Sequence, residues 1–372
     1  MQRLGDYIKE YSARNKFDEE IPVYSVTNSN GFCRDYFGKE VASNNKRTYK
    51  IVPRNAFAYN PSRINVGSVD YQHYEDRVIV SPLYNVFTVD EKILPQYLYF
   101  YLKSPNTMKR IRTVASGSVR DNLKLSMLCE FPIQVPSINR QQNIIEILEK
   151  TQRIIDEKND ELEKLDNLIK ARFVEMFRRN NIYVISVGDA VELINGRAFK
   201  PTHWMADGLP IIRIQNLNDK TAPFNYFDGI YDKKNYVKKG ELLFSWSGTP
   251  GTSFGAFIWD REPGILNQHI FRVLPKIDLE LNYLRYALND QLEIIISKAH
   301  GGVGLQHITK GELEKVLIPN PNIEQQHSFS NFVAQVDKSK FVLSNELTMC
   351  DFYIRLIHDR VMHSRINLRV TQ

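Results

Sequence analysis

The sequence repeats itself at an offset of about 185 residues, and this repeat restricts its fold more than any other feature. Four segments recur in the same order, at offsets between 184 and 188. They are residues 22–26 and 210–214, 97–102 and 283–288, 115–119 and 299–303, and 136–142 and 321–326. Because chance does not preserve both order and spacing over four segments, the chain of 372 residues is predicted to contain two copies of one unit.

Each copy closes with a long heptad segment that neither Gly nor Pro interrupts. At the a and d positions, seven of ten residues are apolar in the first segment and nine of ten in the second. These seam positions include Leu148, Ile155, Leu162, Leu165 and Ile169, and then Val336, Leu343, Leu347, Ile354 and Ile357. A sustained a/d seam favours a coiled coil, and two seams in one chain are expected to pair with each other.

The order of the patterns predicts an α+β chain with four parts. Residues 1–140 and 181–325 are the two globular copies, and residues 141–180 and 326–372 are the two long helices. Within each copy, β-branched and aromatic runs such as 56–59 and 241–244 predict short strands. A local helix follows in each copy, at about 95–111 and 280–298.

Composition narrows the cellular setting and allows a polyanionic partner without requiring one. The formal charge is +6, apolar residues make up 42% of the chain, and only three cysteines occur. Charges in every window argue against a membrane span, and the N-terminal residues lack the apolar core of a signal peptide. The scattered cysteines predict no disulfide framework. We therefore expect a cytoplasmic protein that does not associate with membranes.

Catalytic and metal-binding signatures are missing from the sequence. It has no dinucleotide or Walker glycine loop, no H-E-x-x-H pair and no serine nucleophile elbow. Asn60-Pro61-Ser62-Arg63 is similar to the Asn/Asp-Pro-Pro-aromatic motif of amino-methyltransferases, but Arg63 takes the aromatic position and no donor-binding loop precedes it. We expect a chain that is not an enzyme, with no catalytic residue, no metal site and no cofactor of its own.

Polar side chains on loops beside the aromatic strands are the candidate binding residues. Asn, Gln and Arg can address base edges, whereas Ser, Thr and backbone amides suit phosphates. The alternative is that the Asn, Ser and Gly residues simply form turns. The candidate DNA-binding residues are Asn60, Ser62, Arg63 and Asn65 in the first copy, and Ser247, Thr249, Ser253, Asn267, Gln268 and His269 in the second.

Over essentially its whole length, the chain resembles a specificity subunit of a type I restriction–modification system. Each copy looks like a target-recognition domain that leads through a Pro-x-x-x-x-Gln-Gln entry into a long helix. The entries are Pro136-Ser137-Ile138-Asn139-Arg140-Gln141-Gln142 and Pro321-Asn322-Ile323-Glu324-Gln325-Gln326, the second one residue shorter. Residues 60–67, 248–251 and 266–269 are similar to stretches found in such domains.

The resemblance implies a non-catalytic subunit of a host-defence system that directs DNA methylation. Each domain would read one half of a bipartite site in double-stranded DNA. The antiparallel helices, with the seam residues named above, would set the gap and dock two methyltransferase subunits. Those partners would bring S-adenosylmethionine, and restriction subunits would add ATP and Mg. The chain departs from the family's pattern in one respect, because the charged residues Lys158 and Arg172 occupy a or d positions of the first seam.

The competing interpretation is a coiled-coil scaffold that tethers proteins and binds no DNA. A cryptic nuclease or methyltransferase is a third class, but it would need acidic metal ligands or a donor loop that the sequence does not offer.

Overall fold

The chain is described by a computed structural model that covers residues 2–34, 46–115, 122–178, 182–249, 252–302 and 305–362. It divides into two units. Unit 1 contains the residues up to Asn159 together with those from Leu343 onward, and unit 2 contains Asp160–Val342. Unit 1 is therefore built from both ends of the sequence, whereas unit 2 is one continuous segment.

Unit 1 begins with short strands and continues with helices. The strands are β1 (Ile8–Glu10), β2 (Ser25–Thr27), β3 (Gly31–Cys33), β4 (Lys50–Pro53), β5 (Phe57–Tyr59), β6 (Val69–Tyr71), β7 (Arg77–Val80) and β8 (Asn85–Val89). The helices are α1 (Pro95–Lys103), α2 (Pro105–Ala115), α3 (Leu125–Cys129) and the start of α4 (Ile138–Phe173).

Unit 2 follows the same plan with more strands. In chain order its elements are β9 (Val184–Ser186), α5 (Val187–Ala190), β10 (Val191–Asn195), β11 (Leu209–Ile212), α6 (Ile214–Asn218), β12 (Asn225–Phe227), β13 (Tyr236–Val237), β14 (Leu242–Ser245), β15 (Ser247–Gly248), β16 (Gly255–Ile258), β17 (Gly264–Leu266), β18 (Ile270–Pro275), α7 (Leu281–Asp290), α8 (Leu292–Ser297), β19 (His300–Gly302), β20 (Leu305–His307), α9 (Lys310–Glu314), β21 (Leu317–Pro319) and the start of α10 (Ile323–Ile357).

The central sheet has the same topology in both units. Its strand order is β1-β8-β5-β6 in unit 1 and β10-β18-β14-β16 in unit 2, and every neighbouring pair is antiparallel. The predicted strands at 56–59 and 241–244 are β5 and β14, which occupy equivalent places in the two sheets. The two predicted copies and the α+β class are confirmed.

The long helices have the predicted phase. α4 and α10 contain 36 and 35 residues, so each is about 53 Å long at 1.5 Å per residue. Every predicted seam position from Ile144 to Met176, and from Phe329 to Ile357, is buried or half-buried, while most other helix positions are exposed. Among the described residues, no helix combines the length and the hydropathy needed to cross a bilayer.

Each unit closes its core with one half of each long helix. In unit 1, Leu148 of α4 lies in the cluster that Ile354 and Ile357 of α10 pack against. In unit 2, Phe173 of α4 packs edge-on to Phe329 of α10, with ring centroids 5.5 Å apart. Early residues of α4 thus meet late residues of α10, and late residues of α4 meet early ones, as an antiparallel pair requires.

The lysines on the two seams have acidic partners on the facing helix. Lys158 pairs with Glu346 in unit 1, and Lys340 Nζ lies 2.6 Å from Asp166 Oδ1 in unit 2. Both lysine side chains are about a quarter exposed, at 23% and 28%. Polar a or d residues specify register at a cost in stability. The two cross-helix pairs therefore fix the antiparallel register without disrupting the seam.

Both long helices end in a π turn at the same point of the repeat. The π turns are Val174–Arg178 and His358–Met362. The π turn of α4 places Phe177 in the core of unit 2, and the π turn of α10 places Met362 in the core of unit 1. Both side chains are almost fully buried. The widened turns therefore anchor the ends of the helices in the two cores.

The repeated Gln-Gln entry is explained by a buried carboxamide in each unit. The Gln141 side chain accepts from the Leu94 amide and donates to the Lys92 and Pro136 carbonyls, at 2.8 Å each. Gln326 accepts from the Glu280 amide at 2.9 Å and donates to the Pro321 carbonyl at 3.0 Å. Each glutamine thus fastens a long helix to the segment that precedes the first helix of its domain.

The local helix of each copy is broken in two, so the prediction of a single helix there was wrong. In unit 1 the break falls at Ser104, which is extended because Pro105 disfavours the helical conformation of the residue before it. The Ser104 hydroxyl then accepts from the Thr107 amide at 3.3 Å and caps α2. In unit 2 the break falls at Gln291, between α7 and α8.

We expect Gln141→Ala to lower the free energy of unfolding of unit 1 by about 1–3 kcal/mol, because it leaves buried backbone groups without partners. Gln142→Ala, at the exposed neighbouring position, is the matched control and should change stability by less than about 0.5 kcal/mol. Urea unfolding together with hydrogen exchange of the Leu94 amide measures both. Equal stability of the two variants would contradict the anchoring role of Gln141.

Candidate nucleic-acid interface

The candidate loops of the two units start from the same place in the repeated frame. The loop after β5 is held by the Leu123 amide, which donates to the Pro61 carbonyl at 3.1 Å. The loop after β14 is held by the Ile308 amide, which donates to the Trp246 carbonyl, also at 3.1 Å. Both donors and both acceptors are 185 residues apart. The framework therefore presents two different loops at one equivalent position.

In unit 1 the loop folds as a turn followed by a short 3₁₀ helix, Ile64–Val66. The Asn60 side-chain oxygen accepts from the Ser62 amide at 3.0 Å and so stabilises the turn. Ser62 and Arg63 are exposed, and the Arg63 guanidinium forms no hydrogen bond or ion pair with the residues that the structure describes. The half-buried Asn65 accepts from Arg112 Nε through its carbonyl at 3.2 Å.

In unit 2 the loop continues as a strand. Ser247 is buried in β15, which pairs with β20, and β20 pairs with β19. Beyond this strand, the Ser253 amide donates to the Thr249 carbonyl at 3.0 Å. A Cβ on Gly248, whose φ is +128°, would lie 2.4 Å from Ser253 Cβ. Glycine at position 248 therefore leaves room for the Ser253 side chain, while Pro250 and Gly251 lie outside the described residues.

Asn267, Gln268 and His269 form the short connection from β17 to β18. The Asn267 amide donates to the Ile212 carbonyl at 3.0 Å, and the Trp246 amide donates to the His269 carbonyl at 3.2 Å. All three side chains are half-buried. The connection is therefore fixed by backbone hydrogen bonds on both sides.

The side chains of Gln268 and His269 contact each other, with Gln268 Nε2 2.9 Å from His269 Nε2. The Trp246 ring meets the His269 ring edge-on at 5.3 Å, and its indole N–H donates to Asn195 Oδ1 at 3.3 Å. Burial lowers the pKa of His269 below its ordinary value, and the nearby His307 lowers it further. His269 is therefore neutral at physiological pH.

Asn195, Trp246 and Gln306 also belong to this region, although the sequence did not identify them. Asn195 and Trp246 meet only because β10 and β14 lie in the same sheet. Gln306 is placed beside Gly248 by the pairing of β15 with β20, across 58 residues of sequence. The glycine-rich stretch at 301–304 was the one available signal for a hairpin here, and the equivalent segment 115–119 lies largely outside the described residues.

A groove recurs between the first domain helix and the long helices in each unit. In unit 1 it encloses about 530 Å³, and in unit 2 about 400 Å³. Six pairs of lining residues are 185 or 186 positions apart: Tyr99 and Arg285, Phe100 and Tyr286, Lys103 and Asn289, Gln152 and Asp337, Ile155 and Lys340, and Asp166 and Asp351. Both units thus offer one groove at an equivalent place, with different charges.

Comparison with known proteins gives the family. The model of the type I restriction modification DNA specificity domain matches the chain twice, at residues 5–166 and 180–348. The chain belongs to this family. Within the part that the structure describes, no group of three or more His, Cys, Asp or Glu side chains is arranged to hold a metal ion.

Named relatives of this specificity chain are themselves specificity subunits. It is 28% identical over 164 residues to the EcoBI specificity subunit of Escherichia coli, a match that covers 42% of this chain but only 33% of that subunit. It is 22% identical over 368 residues to the MjaVIII specificity subunit of Methanocaldococcus jannaschii, covering 90% and 85% of the two chains.

Solved structures share the fold of the specificity chain. One, from a study of assembly and conformational transition of the type I restriction–modification system, matches with a TM-score of 0.60 at 15% identity, over 96% of this chain and 95% of that one. The type I S subunit from M. genitalium matches with a TM-score of 0.51 at 12% identity, over 96% and 94%.

We expect Arg63→Ala and Gln268→Ala to reduce binding to the cognate duplex far more than binding to a scrambled one. A base contact is worth about 1–3 kcal/mol of discrimination, whereas loss of a phosphate contact weakens binding to all sequences alike. Arg153→Ala, an exposed arginine on α4, is the control and should leave both affinities unchanged.

Titration of the full chain with cognate and scrambled duplexes at matched salt separates these effects. Equal losses on both duplexes would assign Arg63 and Gln268 to the DNA backbone or to folding instead of base recognition.

Proposed function

We propose that this chain is the DNA-recognition subunit of a type I restriction–modification complex, and that each unit reads one half of a bipartite site. One observation carries the proposal. The two units share one framework, including an equivalent backbone hydrogen bond that holds the start of each candidate loop. The loops themselves differ in conformation and in side-chain chemistry. A scaffold that binds no DNA would not require two equivalent frameworks with different loops at the same position.

The number of helical residues between the domains is proposed to set the number of base pairs between the half-sites. The boundary between the units crosses both long helices, after Asn159 in α4 and after Val342 in α10. Because each helix contributes to both cores, the two helices are expected to determine the spacing jointly.

Inserting four helical residues at both boundaries, after Asn159 and after Val342, should lengthen the preferred gap by up to about two base pairs. Four residues add about 6 Å of rise and close to one full turn, so the seam keeps its face, and DNA rises 3.4 Å per base pair. The sequence of the methylated motif reports the gap.

Insertion of two residues at the same points is the control. It turns each seam by about 200° and should expose Leu162 and Leu165, which lowers the yield of folded protein. A folded four-residue variant with an unchanged gap would exclude the helices as the spacing element.

The catalytic chemistry is proposed to come from partners. Two methyltransferase subunits would bring S-adenosylmethionine, and restriction subunits would bring ATP and Mg, so this chain supplies recognition and no chemical step. Since the substrate is cellular DNA, we place the complex in the cytoplasm. The three free cysteines agree with a reducing compartment.

The repeated groove is the proposed docking site for the two methyltransferase subunits. A repeated site of this kind suits two copies of one partner, because each copy meets an equivalent helix arrangement. Asp351 lines the first groove and Arg285 lines the second. Neither side chain is buried, so reversing its charge should not disturb a hydrophobic core.

Asp351→Lys and Arg285→Glu should each remove one methyltransferase subunit, and the double variant should remove both. Native mass spectrometry of the assembled complex counts the subunits, and Arg153→Ala serves as the unaffected control. A single variant that loses both partners, or a double variant that keeps both, would refute docking at the grooves.

A further inference from the structure

Gln306 lies in β20, the middle strand of the three-stranded sheet β15-β20-β19 in unit 2. Its neighbours on the two flanking strands are Gly248 and Gly301. Both glycines have positive φ, 128° and 140°, a region that other residues rarely adopt. Cross-strand side chains normally pack against one another, but the two glycines leave Gln306 with no side chain directly opposite it on either strand.

The Gln306 carboxamide also has an unmet hydrogen-bonding requirement. Its Oε1 atom is buried and accepts no hydrogen bond from any residue that the structure describes. Buried polar atoms in proteins are almost always paired, since an unpaired one costs free energy. The Gln306 side chain as a whole is only half-buried, so a change of rotamer, which is common at interfaces, can turn this acceptor towards a ligand.

Two more unpaired polar atoms lie close by in the fold. Because Gln268 Nε2 can only donate, it makes His269 Nε2 an acceptor. The neutral His269 ring therefore carries its proton on Nδ1, which is buried and has no acceptor among the described residues. Ser245 Oγ, on the strand that leads into this loop, is likewise buried and unpaired there. The residues that carry these unpaired atoms all adjoin the Trp246–Gly248 segment, by chain order, by a backbone hydrogen bond or by strand pairing.

We propose that Gln306 is a specificity-determining residue of unit 2 that recognises one adenine in its half-site. In the major groove, only the exocyclic amino groups of adenine and cytosine can donate to the unpaired Oε1. Adenine also offers N7, an acceptor beside its amino group, to which the carboxamide N–H₂ donates, whereas cytosine has no such acceptor there. The carboxamide therefore matches the edge of adenine with both of its groups.

This inference rests on the proposed DNA-reading function and makes it specific to one residue and one base. The test uses the full chain assembled with its methyltransferase partners, with selection from duplexes in which every position of the second half-site is randomised. Gln306→Met keeps the length of the side chain and removes both hydrogen-bonding groups. It should reduce the preference for adenine at one position by about 5- to 150-fold and leave the first half-site unchanged.

Gln306→Glu should change the preference at that same position from adenine to cytosine. A carboxylate can only accept, and the cytosine amino group is the donor that acidic side chains recognise. Gln215→Met, at an exposed glutamine of the same unit, is the control and should alter no base preference. Thermal unfolding of each variant separates a reading defect from a folding defect.

The outcomes distinguish the inference from the function on which it rests. If the unmodified chain selects no motif at all, DNA reading itself fails. If it selects a two-part motif and both folded Gln306 variants select the same one, only the assignment of Gln306 is wrong. A loss spread evenly over all positions would also overturn the assignment, because it is the mark of a phosphate contact.

Discussion

The structure depends on the way in which two antiparallel helices share their side chains between two cores. Each long helix gives one half of its seam to unit 1 and the other half to unit 2. Unit 1 is consequently completed only by residues from Leu343 onward, which come from the far end of the sequence. Burial of one large apolar side chain is worth about 1.5–3 kcal/mol. Each half-helix carries several such side chains, so the fold of each unit depends on residues of both long helices.

The seam between the two long helices contributes apolar side chains to both cores, and it also specifies a single antiparallel register. Lys158 and Lys340 occupy core-facing positions, yet each finds a carboxylate on the facing helix. A slip of one turn would separate both pairs and leave partly buried charges without partners, which costs more than an exposed ion pair gains. Register, in turn, keeps Phe173 against Phe329 and holds the helix ends in their cores.

The sequence predicted the features that depend on periodicity and missed those that depend on distant contacts. The seam phase, the copied sheet strands and the repeated Gln-Gln entry all follow from spacing along the chain. The break at Ser104 was missed although Pro105 signals it, because the apolar pattern runs on through both helices. At the candidate interface, the side-chain oxygen of Asn60 stabilises its own turn, and the binding role predicted for Asn60 stays a prediction. Trp246 and Gln306 reach this region only through strands that pair across long stretches of sequence.

In the function proposed above, one chain reads two different DNA sequences at a spacing that it sets itself. This function can be tested by sequencing the methylated bases in cells that express this chain together with methyltransferase subunits. We expect one motif with two unrelated specified halves, separated by a constant number of unspecified base pairs. A continuous motif, a palindrome, or methylation that is the same without this chain would contradict it.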